Sequence, residues 1–170
     1  VEITKEKNTL SDALYVTLSL GRNVDRAYAT IIHENETVSK RALYKEGMPG
    51  LNNITINHTR LIERGIDVIH TETNGKPSEK NSISMPYIEK PIAQKYLQEL
   101  LIQDKGQFLE EMDKFMAIID RASDVIRIDP LTGPISEVVY MDMVPVNAFK
   151  TETGYQFFDQ EFAINEYPVN

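Results

Sequence analysis

The sequence predicts an α+β domain whose strands and helices are segregated along the chain, and three observations lead there. Apolar and polar residues alternate with a period of two through successive short segments before residue 45. Other stretches carry apolar residues at three- and four-residue steps, the spacing of one face of a helix. The two kinds of segment come in blocks: strands, a helix, two more strands, two helices and a hairpin. Strict alternation, the mark of a doubly wound parallel sheet, is missing.

Taken in order, LYVTLSL (14–20) and RAYATIIH (26–33) form an expected antiparallel pair across GRNVD, and TVSKRAL (37–43) follows the turn-like HENE as a third strand. Over 45–64, Met48, Leu51, Ile54, His58, Leu61 and Ile62 recur at helical steps, with Pro49 near the start, where a proline is tolerated. IDVIHTE (66–72) reads as a strand, NGKPSEKN (74–81) as an exposed loop, and SISMPYIE (82–89) as a strand broken by Pro86. Two amphipathic helices come next, PIAQKYLQELLI (91–102) and KGQFLEEMDKFMAIIDRA (105–122); the second sets Phe108, Met112, Phe115, Ile118 and Ile119 on one face. DVIRIDPLTGPIS (124–136) reads as a loop leading into EVVYM. One compact unit is expected, with a sheet-rich part over 1–89 that includes the helix and a helical part over 90–170 that carries an acidic hairpin at 140–162. The chain opens on valine and stops at NEYPVN with no closing element, so it reads as a piece of something longer.

At 170 residues, 41% hydrophobic and 26% charged, the chain has the composition of a folded domain with a real core. A net charge of −8 with no lysine–arginine stripe argues against nucleic acid as a partner. The absence of cysteine excludes disulfide scaffolds, thiolate metal sites and cysteine nucleophiles. No apolar run approaches the ~18 residues of a membrane span, and VEITKEKNTL lacks the core of a signal peptide, so a cytoplasmic protein without a span is expected. Neither a G-x-S-x-G elbow nor a G-x-x-x-x-G-K-[ST] loop is present.

The densest chemistry lies in DMVPVNAFKTETGYQFFDQEF (142–162). Asp142 and Asn147 stand five residues apart around Pro145, and Asp159 follows twelve residues after Asn147, past a TETG turn. A hairpin of that length returns the end of its second strand to the start of its first, so Asp142, Asn147 and Asp159 are able to converge. Two carboxylates and a carboxamide are hard oxygen donors suited to Mg²⁺, which takes one or two protein carboxylates and fills its shell with water and phosphate. Asp, Pro and Asn are equally the commonest turn residues, so spacing alone leaves turn chemistry and a metal–phosphate site both open. Lys40 also fits a solvated strand lysine, and Glu161 a surface acid. His33, His58 and His70 have no ligand spacing and read as packing or surface histidines.

DMVPVN resembles the D-x-x-x-x-N catalytic loop of protein-kinase-like phosphotransferases, and FFDQE resembles their metal-binding aspartate segment; the D-x-x-P-x-N and D-x-E forms are similar to those of aminoglycoside and other small-molecule kinases. More narrowly, RAYATIIHEN, VSKRAL, PYIE and DMVPVN…FFDQEF look like a bacterial kinase-like region attached to S-adenosylmethionine-dependent methyltransferases and glycosyltransferases of surface-polysaccharide clusters.

The resemblance implies a kinase-like fold, with a small antiparallel sheet and one helix packed on it, joined to a helical part by a hinge in MPYIE, at Tyr87, that reads adenine through its backbone. It implies that Lys40 holds the α- and β-phosphates of ATP or another nucleoside triphosphate. Asp142 would orient the acceptor hydroxyl or take its proton, Asn147 and Asp159 would bind Mg²⁺, and Glu161 would add a second metal contact. The implied reaction is phosphoryl transfer to a hydroxyl of a small molecule or glycan. The alternative is a catalytically inactive kinase-like module that docks or regulates a linked methyltransferase or glycosyltransferase. No glycine-rich S-adenosylmethionine-binding turn is present, so such a methyltransferase domain would lie outside this chain. The sequence departs from the kinase pattern in several places. The first turn offers only Gly21, Tyr140 replaces the catalytic-loop histidine, and the chain ends soon after Asp159. No acidic residue lies between Gly47 and Leu61, which leaves Glu46, Glu63 or nothing to pair with Lys40.

Overall fold

A computed structural model describes residues 12–73 and 81–169. The protein is mixed α+β, with a five-stranded antiparallel sheet, two smaller antiparallel sheets and three α-helices. It divides into two compact units, Val1–Leu51 with Thr71–Tyr87 and Asn52–His70 with Ile88–Asn170; the boundary falls inside the first helix, whose larger part groups with the second unit. Most of the loop expected over 74–81 lies outside the described residues. None of the described helices is long and apolar enough to cross a membrane.

The first unit holds the five-stranded sheet. Its strands are β1 (Ala13–Leu18), β2 (Tyr28–His33), β3 (Thr37–Ala42), β4 (Glu72–Thr73) and β5 (Ser82–Pro86), in the order β1-β2-β3-β5-β4. β3 is central, and its alternation buries Lys40 and Ala42 while leaving Arg41 exposed. Tyr28 pairs with Ala42 and Thr30 with Lys40, so Tyr28 and Lys40 are diagonal neighbours on one face. The Tyr28 ring is anchored through its hydroxyl, which donates to Asp25 O at 3.2 Å and Gly47 O at 3.4 Å. A Cβ at Gly47 would stand 3.2 Å from both Ala42 Cβ and the Tyr28 ring, close enough that one of them would have to shift by a few tenths of an ångström.

Helix α1 (Met48–Glu63) begins after a 3₁₀ turn at Lys45–Gly47. It closes on Gly65, at φ 73°, with Ile66 N–H bonding Leu61 O and Gly65 N–H bonding Ile62 O. This is the crossed pair of bonds that satisfies the last carbonyls of a helix. The segment after it is not the strand expected over 66–72. Ile66, Val68 and Ile69 are all buried, and only Val68 bridges a strand residue, Phe157; the regular strand is reduced to β4. Asp67 and His70 are exposed, but Val68 and Ile69 are adjacent and both buried, so the two-sided alternation of a strand breaks there and the run serves the core as an irregular segment.

The second unit contains α2 (Ala93–Gln103), α3 (Lys105–Ala122), the sheet β10-β7-β6 and the ribbon β8-β9. β6 (Val125–Asp129) and β7 (Gly133–Tyr140) form a hairpin where a loop was expected. The turn residues of DPLTG occupy only its tip, where Asp129 Oδ1 accepts from the amides of Leu131 and Thr132 and Gly133 takes φ 81°. β10 (Ala163–Pro168) pairs with β7, so the segment expected to end without a closing element is a strand. The ribbon consists of β8 (Ala148–Lys150) and β9 (Tyr155–Phe157).

Phe115 of α3 sits in the core of this unit, edge-on to Tyr155 at 5.0 Å and tilted against Phe157 at 5.5 Å. One turn away on the same helix Glu111 is buried, accepting from Tyr155 Oη at 2.8 Å and Lys114 Nζ at 2.6 Å, with Lys150 Nζ at 3.4 Å. Burial by itself pushes the Glu111 carboxyl up, but the bonds from Lys114 and Tyr155 and the charge of Lys150 outweigh it and hold the group below its ordinary range. Burial and the bond to Glu111 raise the Tyr155 phenol.

A carboxyl depressed in the folded state contributes stability that is complete above its unfolded pKa and lost as pH falls through its folded one. Glu111→Gln should therefore cost about 1–3 kcal/mol at pH 7, and urea unfolding at pH 3 should show a clearly smaller difference from wild type.

Candidate functional site

The ribbon gathers the acidic segment. Register pairs Ala148 with Phe157 and Lys150 with Tyr155, and beyond the last pair Phe158 N–H bonds Asn147 O at 3.0 Å. Asn147 and Phe158 therefore face each other at the ribbon's open end, and Asp159 follows directly. Pro145 begins the 3₁₀ turn Pro145–Asn147, which folds the chain back so that Asn147 Nδ2 donates to Asp142 O at 3.2 Å. The carboxamide nitrogen is thereby used, and the amide oxygen is the atom left to face a cation.

Asp142 is tied to the other side of the site through its side chain. Its Oδ2 accepts from the amides of Glu161 at 3.0 Å and Phe162 at 2.8 Å, both charge-assisted bonds that fix the carboxylate's direction. Asp159 is half-buried and adopts φ 58°, a left-handed conformation that aspartate tolerates better than most residues. Glu161 N–H bonds back to Asp159 O at 3.0 Å, closing the turn.

Beneath this turn lies a buried polar network that sequence reasoning did not find. Gln160, fully buried, donates Nε2 to Asp142 O at 3.0 Å and to Phe158 O at 2.7 Å. Asn57 donates Nδ2 to the carbonyls of Gln160 at 2.9 Å and Glu161 at 3.3 Å. His58 Nδ1 lies 3.0 Å from Ile69 O, so this nitrogen is the donor; Nε2 is then the acceptor for Gln160 N–H at 3.4 Å, and the ring is the neutral tautomer. The one available signal was His58's place in the apolar stripe of α1, where a histidine must be buried and bonded. Gln160 carried no signal, because its burial follows from tertiary packing.

The remaining site residues are placed as follows. Lys40, in the first unit, is 6% exposed, which removes the solvated-strand reading, and its Nζ stands 4.7 Å from the Tyr28 ring centroid. Among the described residues neither Glu46 nor Glu63 enters an ion pair. Tyr87 is exposed just after β5, and its own amide is taken by Glu36 O at 2.8 Å, so a base could not use that N–H. Glu161 is 6% exposed, which removes the surface-acid reading. Among the described residues no three His, Cys, Asp or Glu side chains group to hold a metal. A cation here would rest on Asn147 and Asp159 with its other ligands supplied from outside the chain, as Mg²⁺ accepts and zinc sites of three or four side chains do not.

Two stability measurements check this description. At φ 58° a glycine is unstrained and an alanine is not, so Asp159→Gly should be more stable than Asp159→Ala by about 1 kcal/mol. Gln160→Leu keeps the volume but strands Phe158 O, and should cost about 1–3 kcal/mol in denaturant unfolding. No protein-family model matches this sequence, and no curated protein is significantly similar to it.

Proposed function

We propose that the chain is a protein-kinase-like domain that transfers the γ-phosphoryl group of a nucleoside triphosphate, with Mg²⁺, to a hydroxyl of a small molecule or glycan. The observation that carries this reading is the turn at Asp159. A left-handed aspartate is held beside Asn147 by the ribbon, and the amides of Glu161 and Phe162 that follow tie its turn to the Asp142 carboxylate. In phosphoryl transfer the protein mainly positions reactants and neutralises charge, so a few fixed oxygens and one cationic side chain suffice.

In this reading Asn147 and Asp159 would hold the cation, whose charge would offset that of the phosphates. The Asp142 carboxylate, fixed in direction, orients the acceptor hydroxyl and receives its proton as the new oxygen–phosphorus bond forms and the β–γ bridging bond breaks, leaving a nucleoside diphosphate. Lys40 contacts the α- and β-phosphates, and the segment after β5 borders the base. The second reading, a kinase-like module without turnover that regulates a linked methyltransferase or glycosyltransferase, is favoured by one observation: Asp142 Oδ2 is spent on two backbone amides.

Melting with ATP and Mg²⁺ tests the first reading and separates it from the second. Ligand at about a hundred times its Kd adds about 2.7 kcal/mol, a rise in Tm of about 5–10 °C for a chain of this size. The Mg²⁺-dependent part of that rise should vanish in Asp159→Asn, which keeps the left-handed turn, and Lys40→Met should remove most of the remainder. A wild-type Tm unmoved by millimolar ATP with Mg²⁺ sinks both nucleotide readings. A rise with no ADP formed on any hydroxyl acceptor assigns the second.

A further inference from the structure

A separate cleft in the second unit, about 350 Å³, is lined by Arg60, Glu63 and Arg64 at the end of α1, Glu137 and Tyr140 of β7, and Asn165 of β10. Nothing in the phosphotransfer reading uses it. Tyr140 forms its floor. The residue is only 5% exposed, and its hydroxyl makes no hydrogen bond among the described residues. The hydroxyl oxygen itself is not sealed from solvent, so the polar end of this otherwise buried ring is open to the cleft.

The charges of the lining are balanced but unequally committed. Arg64 is taken up, donating to Asp124 at 2.7 Å and Glu137 at 3.3 Å. Arg60 and Glu63, three residues apart on the last turns of α1, enter no ion pair among the described residues. The cleft thus presents one uncommitted cation, one uncommitted anion and the Tyr140 hydroxyl among charges of both signs. Burial raises the Tyr140 phenol, the charges of Arg60 and Arg64 pull it back, and those of Glu137 and Glu63 push it up again.

We infer that this cleft binds a small zwitterion, its phosphate or carboxylate taken by Arg60 and the Tyr140 hydroxyl and its ammonium by Glu63. A guanidinium and a hydroxyl donor together suit an oxyanion. A ligand carrying only one charge would leave the opposite lining residue uncompensated, whereas a zwitterion answers both. The volume lies at the small end of ligand pockets and fits a molecule of amino-acid size. The inference stands apart from the phosphotransfer reading, because none of its residues is assigned there.

Titration of the chain by calorimetry and by ¹H–¹⁵N spectra, without nucleotide, tests it with two zwitterionic probes, phosphoethanolamine and β-alanine, and with inorganic phosphate and ethanolamine as single-charge controls. At least one zwitterion should saturate a single site with Kd at or below about 1 mM. Arg60→Gln, on the exposed end of the helix, and Tyr140→Phe, which keeps the ring, should each weaken it about tenfold or more. Glu63→Gln should weaken the zwitterion and leave inorganic phosphate unchanged. Absence of saturation by either zwitterion up to about 20 mM, far above the affinity expected of a built site, overturns the inference. So does undiminished binding by Arg60→Gln, whatever the fate of Tyr140→Phe, and so does inorganic phosphate binding as tightly as the better zwitterion.

Discussion

The geometry of the second unit depends on what happens where the β7–β10 ladder ends. Backbone pairing runs to Tyr140 opposite Ala163, and one further bond joins Met141 N–H to Phe162 O. At the next step a side chain takes over from the strand. Asp142 Oδ2 accepts the amides of Phe162 and Glu161 just where the strand pairing stops. A carboxylate accepting two amides is a strong, directional tie, so the chain can leave the sheet, run through the Pro145 turn and the β8–β9 ribbon, and return to a fixed place. Removing that tie would leave the Asp159 turn held to the end of β7 only through the Met141–Phe162 bond and the Gln160 side chain.

The tie is reinforced from beneath by groups that have no other evident use. Asn57 and His58 belong to α1, yet their polar atoms serve the chain at 160–161 and the carbonyl of Ile69. Gln160 links the Asp142 and Phe158 carbonyls. A buried network of this kind contributes little net stability over an apolar core, but partial loss is costly, so it selects one backbone arrangement over its competitors. The aromatic contacts of Phe115 and the Glu111 cluster do the complementary work, fixing the ribbon to α3 through Tyr155 and Phe157.

Local chemistry was legible in the sequence, and tertiary burial was not. α3 runs over 105–122 as its periodicity requires, and the structure adds a cap at Asp104, whose Oδ1 accepts from Gln107 N–H. The β8–β9 ribbon follows from TETG and the alternation around it. The β6–β7 hairpin was hidden because DPLTG dominates the local reading, and its first strand is an exposed edge with no buried face to set a pattern. β10 was hidden for the same reason: most of its residues are exposed, and Glu166 within it is left-handed. In the site, the meeting of Asp142, Asn147 and the Asp159 turn follows from hairpin length. The burial of Lys40, Gln160 and Glu161 does not, since nothing local distinguishes a buried lysine or glutamate from a solvated one.

The distribution of local costs bears on whether the Asp159 turn is only a turn. Three described non-glycine residues have positive φ: Glu36, Asp159 and Glu166. Glu36 lies in the connection between β2 and β3, where a tight reversal demands it, and Glu166 is exposed within an outer strand. Asp159 lies in neither setting, and its neighbour Gln160 adds a second cost, a buried amide oxygen with no hydrogen-bond partner among the described residues. Two adjacent residues that each depart from what stability alone favours are held in place by Asn57, His58 and Asp142 around them. Strain and unsatisfied polar groups persist where the surroundings over-determine them, and they gather at sites where a side chain must be presented rather than packed. A turn needed only to reverse the chain would be better made with glycine at 159. An aspartate in place of that glycine is what the proposed cation site would require of this turn.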